Sequence, residues 1–124
     1  MFCLDVLVFY EEAVKAFYTC IKLGDQTIET YIALADVLLF LGDFNDALKI
    51  VIKAKKVYKE FAEIEYRLFG LFMILDQEDY SLTHLRNALA IDYEYHSIIK
   101  ELYPTVFENK RVQLIISSYK KALK

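Results

Sequence analysis

The chain has 124 residues, 56% of them apolar and 15% aromatic, with three glycines and one proline. That length suits one domain, and that balance excludes disorder and favours helices packed on helices over sheets joined by turns. Fifteen Lys and Arg against eighteen Asp and Glu leave a net charge of −3, a poor match for a phosphate backbone, so no nucleic-acid partner is expected.

Taken in chain order, the apolar spacing predicts helices over residues 2–8, 10–23, 28–41, 44–58, 62–75, 78–91, 94–103 and 106–123. The opening residues lack a positive n-region and meet Asp5 and Glu11 too soon for a signal peptide or a membrane span. Cys3 and Cys20 are too few for a disulfide framework and lack metal-ligand spacing, so a reducing, cytoplasmic setting is expected, with both thiols acting as small apolar fillers. Tyr31, Leu34, Leu38 and Leu41 form one stripe, and Phe44, Ala47, Leu48, Val51 and Ala54 form the next. Between them Gly42 suits the left-handed conformation that ends a helix, and Asp43 suits a cap for the helix that follows. The next corner reads Leu75-Asp76-Gln77-Glu78, where Asp76 takes the capping role without a glycine. Pro104 marks a break, and Thr105 with Glu108 reads as a capping box for the last helix.

The helices repeat. At intervals of 34 residues stand Leu4, Leu38 and Phe72; Ala13, Ala47 and Ser81; Phe17, Val51 and Leu85; Cys20, Ala54 and Ala88; and Leu23, Val57 and Ile91. Large positions stay large and small ones stay small, which stacked helical hairpins require, since bulk at a close crossing forces backbones apart.

Residues 28–61 resemble a tetratricopeptide repeat, through Tyr31, Leu34, Ala35 and Leu38, then Gly42, Asp43 and Phe44, then Ala47, Val51 and Ala54. Residues 62–95 match through Leu68, Phe72, Ser81, Leu85, Ala88 and Leu89, and residues 1–27 look like a partial earlier copy. Residues 96–124 keep a trace of the register and read as a degenerate repeat serving as a cap. The family's repeat-ending proline is replaced by Asp25, Lys59 and Tyr93, and its small residue on the first helix by Phe69. The resemblance implies an all-α fold, a right-handed superhelical solenoid of antiparallel helix pairs forming one domain, with a C-terminal capping pair. The register places residue 1 at the eighth position of a repeat. The expectation is therefore a C-terminal part of a longer repeat protein, whose apolar end (Phe2, Leu4, Val6 and Leu7) pairs with a second copy.

By the same resemblance the first helices line a concave groove for a partner peptide or helix. Its lining would be Glu29, Ile32, Ala33, Asp36, Leu39 and Phe40, then Glu63, Tyr66, Arg67, Gly70, Met73 and Ile74, with Lys100 and Glu101 on the cap. Leu39, Phe40, Met73 and Ile74 read equally as core, while Tyr66 and Arg67 are the favoured contacts. Some members of the family grip a terminal carboxylate with a clamp of Lys, Asn and Arg. Ile32 and Asp36 stand at two of those places and only Arg67 supplies a cation, so no such binding is expected.

No nucleophile sits beside a base, no phosphate loop is present, and His84 and His96 read as surface or helix-end histidines, so neither enzyme, cofactor nor metal is expected. Lys53, Lys55, Lys56 and Lys59 make a basic cluster on a second, outer helix, which reads as a solvated face before it reads as an RNA site. Charge is uneven beyond it: residues 60–108 hold ten acids and three bases, and residues 109–124 hold five bases and no acid. Lys120, Lys121 and Lys124 complement the dipole of the last helix. The leading expectation is a protein-interaction scaffold. The alternatives are a structural or oligomerisation end-module and, behind it, an RNA-binding repeat.

Overall fold

Four helix ends among the described residues are set by three left-handed residues and one asparagine. The computed structural model describes residues 2–122, with side chains from Val6 onward, and every regular element among them is helical. The roles expected of residue 1, of the Phe2, Cys3 and Leu4 side chains and of Lys124 lie outside the described residues. The chain divides between Tyr58 and Lys59 into two compact units.

The first unit holds α1 (Phe2–Lys22), α2 (Ile28–Phe40) and α3 (Phe44–Val57). α1 runs unbroken through the corner expected after residue 8. Where the following period has Gly42 and Asp43, this stretch has Val8 and Phe9. Neither takes a positive φ cheaply and neither can cap, so the helix continues. α1 stops at Gly24 (φ +107°), whose N–H donates to the Ile21 carbonyl while the Asp25 N–H donates to that of Cys20, at 3.0 and 2.9 Å. α2 stops in the same way at Gly42 (φ +82°), with Gly42 N–H to Leu39 and Asp43 N–H to Leu38, again at 3.0 and 2.9 Å. These paired bonds satisfy carbonyls that a helix end leaves without partners. The side chain of Asp43, contrary to expectation, makes no capping bond.

α2 packs on both α1 and α3. It buries Tyr31, Leu34, Ala35 and Leu38, and α3 buries Ala47, Ile50, Val51 and Ala54. Cys20 does not fill a packing place: the side of α1 that carries Ala16, Thr19 and Cys20 is exposed. Two contacts tie the corners of this unit. The Tyr58 hydroxyl donates to the Gln26 carbonyl at 2.6 Å. The Asp25 carboxylate accepts from the Thr27 N–H and the Thr27 and Thr30 hydroxyls, at 2.9, 2.9 and 2.8 Å, which together hold its pKa below the usual carboxylate range.

The second unit opens with α4 (Ala62–Ile74) and α5 (Glu78–Ile91), which pack on each other. Each boundary of α2 and α3 recurs 34 residues later in α4 and α5. Asp76 (φ +59°) stands at the place of Gly42 and makes the same pair of bonds, Asp76 N–H to Met73 and Gln77 N–H to Phe72, at 3.2 and 2.8 Å. Asp76 therefore ends α4 and does not cap α5.

A 3-10 turn (Glu94–His96), α6 (Ser97–Leu102) and α7 (Pro104–Phe107) pack along α4, and α8 (Lys110–Ala122) packs on α5. The last helix expected from residue 106 is thus two pieces. Pro104 occupies the first turn of α7, where its missing N–H costs nothing. The Asn109 carboxamide oxygen accepts from the N–H groups of Arg111 and Val112, at 2.9 and 3.3 Å, and so caps α8 in place of Thr105. Among the described residues no helix is long and apolar enough to cross a membrane.

An L-residue held left-handed costs roughly 1–2 kcal/mol, less for Asp than for most, and Gly escapes that cost. Asp76→Gly is expected to raise unfolding free energy by about 0.5–1 kcal/mol and Gly42→Ala to lower it by about 1–2 kcal/mol, measured by urea denaturation. A loss of stability in Asp76→Gly would show that its carboxylate does more than tolerate the turn.

Candidate functional site

The face expected to receive a partner has a different fate in each unit. On α2, Glu29 is exposed, Ile32, Ala33, Asp36 and Leu39 are half-buried, and Phe40 is 68% exposed. On α4, Glu63, Met73 and Ile74 are half-buried, while Tyr66, Arg67 and Gly70 are buried. Lys100 and Glu101 lie exposed on α6. Tyr66 and Arg67, the favoured contacts in the sequence, are 0% and 4% exposed and offer no surface to a partner.

For Tyr66 and Gly70 the reason is the segment that follows α5. α4 is buried without interruption from Ile64 to Leu71, on every side of the helix. The Tyr66 hydroxyl donates to the Asp92 carbonyl at 2.7 Å, and its ring lies 5.9 Å from that of Tyr95. Burial, with the Asp92 charge nearby, pushes the phenol well above its ordinary pKa, so it stays a donor. An Arg67 guanidinium nitrogen (Nη1) donates to the Glu63 carbonyl at 3.0 Å. The Tyr103 ring occupies the space that a side chain at Gly70 would need. What the register assigns to a groove is, in this unit, core.

The structure adds two features that the sequence reading missed. His84, read as a surface or helix-end histidine, meets Glu65 across the α4–α5 pair, with Nδ1 and Oε2 2.5 Å apart and Glu65 2% exposed. The Phe72 ring stacks on the imidazole at 5.6 Å and 7°. This hydrogen bond between two shielded side chains ties α4 to α5 and is worth more there than at a surface. His96 is likewise occupied, its Nδ1 2.6 Å from the Tyr93 carbonyl. Among the described residues no group of His, Cys, Asp and Glu could hold a metal ion.

The second feature is an aromatic cluster on the first unit. Tyr10 lies between Phe9 and Phe40, with ring centroids 5.6 Å from the first and 4.7 Å from the second. Leu7, Val8, Phe9 and Phe40 are all exposed around it. The sequence signal was present in the absence of a corner after residue 8: once α1 runs straight on, Val8 and Phe9 are carried into solvent and not turned inward. On α3, Lys53 and Lys56 are exposed and Lys55 is half-buried, while Lys59 lies outside that helix, exposed at the start of the second unit.

No protein-family model, curated protein or solved structure matches the chain.

Replacing a mid-helix glycine with alanine ordinarily stabilises by about 1 kcal/mol. Gly70→Ala is expected to do the reverse, by about 1–3 kcal/mol, because the new methyl must displace Tyr103. In a Tyr103→Ala background the same substitution should recover the ordinary gain. Chemical denaturation of the four proteins tests this, and a stabilising Gly70→Ala in the wild-type background would contradict the closed face.

Proposed function

We propose that this chain is a helical-repeat module resembling the tetratricopeptide repeat, working in the cytoplasm as a scaffold that holds another polypeptide and catalyses nothing itself. The observation that carries the reading is the pair of exposed rings Phe9 and Phe40 on either side of the half-buried Tyr10, with Leu7 and Val8 exposed nearby. Soluble surfaces rarely keep so many large apolar side chains together unless something covers them, and interface cores are enriched in aromatic residues. The matched 34-residue boundaries of the two helix pairs support the repeat. A free, exposed Cys20 agrees with a reducing compartment.

On this reading the partner lies against the first unit, on Phe40 and the neighbouring Ile32 and Leu39 of α2, with Phe9 of α1 at the edge. Glu29 on the same helix favours a partner that carries basic residues. Tyr66, Arg67 and Gly70 take no part, since all three are buried.

A second reading, an oligomerisation module, is favoured by one specific observation: the first turns of α1 carry Leu7, Val8 and Phe9 exposed around the helix, apolar surface that a second copy of this chain could cover. The two readings separate in one set of variants. Affinity capture with crosslinking should recover a defined partner that is lost with Phe9→Glu and with Phe40→Glu and kept with Lys100→Glu, which alters the second unit only. A partner kept by the Phe9→Glu/Phe40→Glu double variant would refute the scaffold reading on this surface. Self-association in sedimentation equilibrium that Phe9→Glu abolishes would favour the second reading.

A further inference from the structure

The chain contains three arginines. Arg67 is buried, and the other two, Arg86 and Arg111, line the same cleft between α5 and α8 of the second unit. The cleft encloses about 370 Å³, with Asp79, Leu82 and Arg86 from α5 facing Arg111, Leu114 and Ile115 from α8. Both sets follow helical spacing, so each is one continuous stripe.

The two cations are not equivalent. Arg111 donates to Glu78 at 2.7 Å, and that carboxylate raises its pKa further. Arg86, one end of the α5 stripe, has no ion pair among the described residues. Between them the floor is aliphatic, and Leu114 is 70% exposed, a ridge with a second depression of about 330 Å³ on its far side. α8 presents Lys110, Lys120 and Lys121 to solvent and contains no acid, while Glu108, just before it, lines the second depression.

An aliphatic floor with an unneutralised guanidinium at one end and a basic helix along one wall is complementary to a segment that combines a leucine-class side chain with carboxylates. We infer that the α5–α8 cleft docks an acidic amphipathic helix of a partner protein, its leucine beside Leu114 and a glutamate or aspartate on Arg86. This rests on the polypeptide-holding reading but uses a different unit and the opposite charge preference. Helix-in-groove recognition supplies the geometry, with anchors one turn apart matching Leu82 and Arg86. Asp79, in the same cleft, opposes an acidic ligand and gives the inference an internal sign test.

The test uses a fluorescein-labelled synthetic helix with leucine and glutamate alternating at i and i+4, titrated with the full chain in fluorescence anisotropy. Binding should be saturable and weaken as salt rises. Arg86→Glu should weaken it about tenfold and Leu114→Ser several-fold, while Asp79→Asn should strengthen it about two- to fivefold, as expected for loss of one exposed like charge. All three positions are exposed, and matched thermal melts establish that each variant is folded.

Four results would overturn the inference: no binding, equal binding of a lysine-for-glutamate helix, affinity unchanged by Arg86→Glu, or Arg86-dependent adsorption to phosphatidylserine vesicles without peptide binding. A Phe9→Glu/Phe40→Glu double variant should still bind the peptide. Failure here leaves the scaffold reading intact if the first-unit partner is retained by Arg86→Glu, so the two claims fall separately.

Discussion

The structure depends on small side chains where helices cross. Ala47 and Ala54 on α3, and Ser81 and Ala88 on α5, are at or within 1% of complete burial, each on the helix that packs against the first member of its pair. Bulk at those places would part the backbones and lose the dispersion contacts of the large residues around them. Ser81 is acceptable where the earlier period has Ala47 because its hydroxyl donates to the Glu78 carbonyl at 2.8 Å, leaving no unsatisfied polar atom. Gly70 extends the same rule to a third contact, since only the absence of a side chain lets Tyr103 lie against α4.

That third contact separates the two helix pairs in what they can do. Both have the same boundaries and the same left-handed corner, yet α2 keeps Phe40 in solvent while α4 is enclosed on all sides. Enclosure brings polar groups with it, and each is matched: Glu65 to His84, the Tyr66 hydroxyl to Asp92, Arg67 to Glu63. Every buried side-chain nitrogen and oxygen among the described residues has a hydrogen-bond partner. Matched polar groups of this kind make a helix hard to uncover, because opening it would expose several charged or hydrogen-bonded groups at once. Binding is therefore assigned to the faces left open, the aromatic cluster of the first unit and the α5–α8 cleft of the second.

Much of this was legible in the residues. The period of 34, the small residues at the crossings and the left-handed Gly42 all follow from spacing and from the conformational freedom of glycine. The illegible parts have two causes, contacts distant in sequence and local features that the pattern did not reveal. Asn109 outcompeted Thr105 as a cap because α7 had already ended, which local pattern does not reveal. Tyr66 and Gly70 became core because residues 94–107 return onto α4. Glu65 and His84 carried a signal that went unread, since their counterparts one period earlier, Tyr31 and Ile50, are both core. Two polar residues at two core places in one hairpin are more economically explained as partners than as surface groups. The break expected after residue 8 failed for a local reason, the lack of any residue there able to turn the chain.

The central claim is that the aromatic cluster of the first unit is open while Tyr66 and Tyr103 of the second are closed, and solvent paramagnetic relaxation measures this directly. With a soluble gadolinium chelate, ring protons of Phe9 and Phe40 should relax strongly while those of Tyr66 and Tyr103 should be almost unaffected. Equal enhancement of Tyr66 and Phe40 would mean that the C-terminal segment does not cover α4 in solution, and the assignment of binding to the other faces would fall with it.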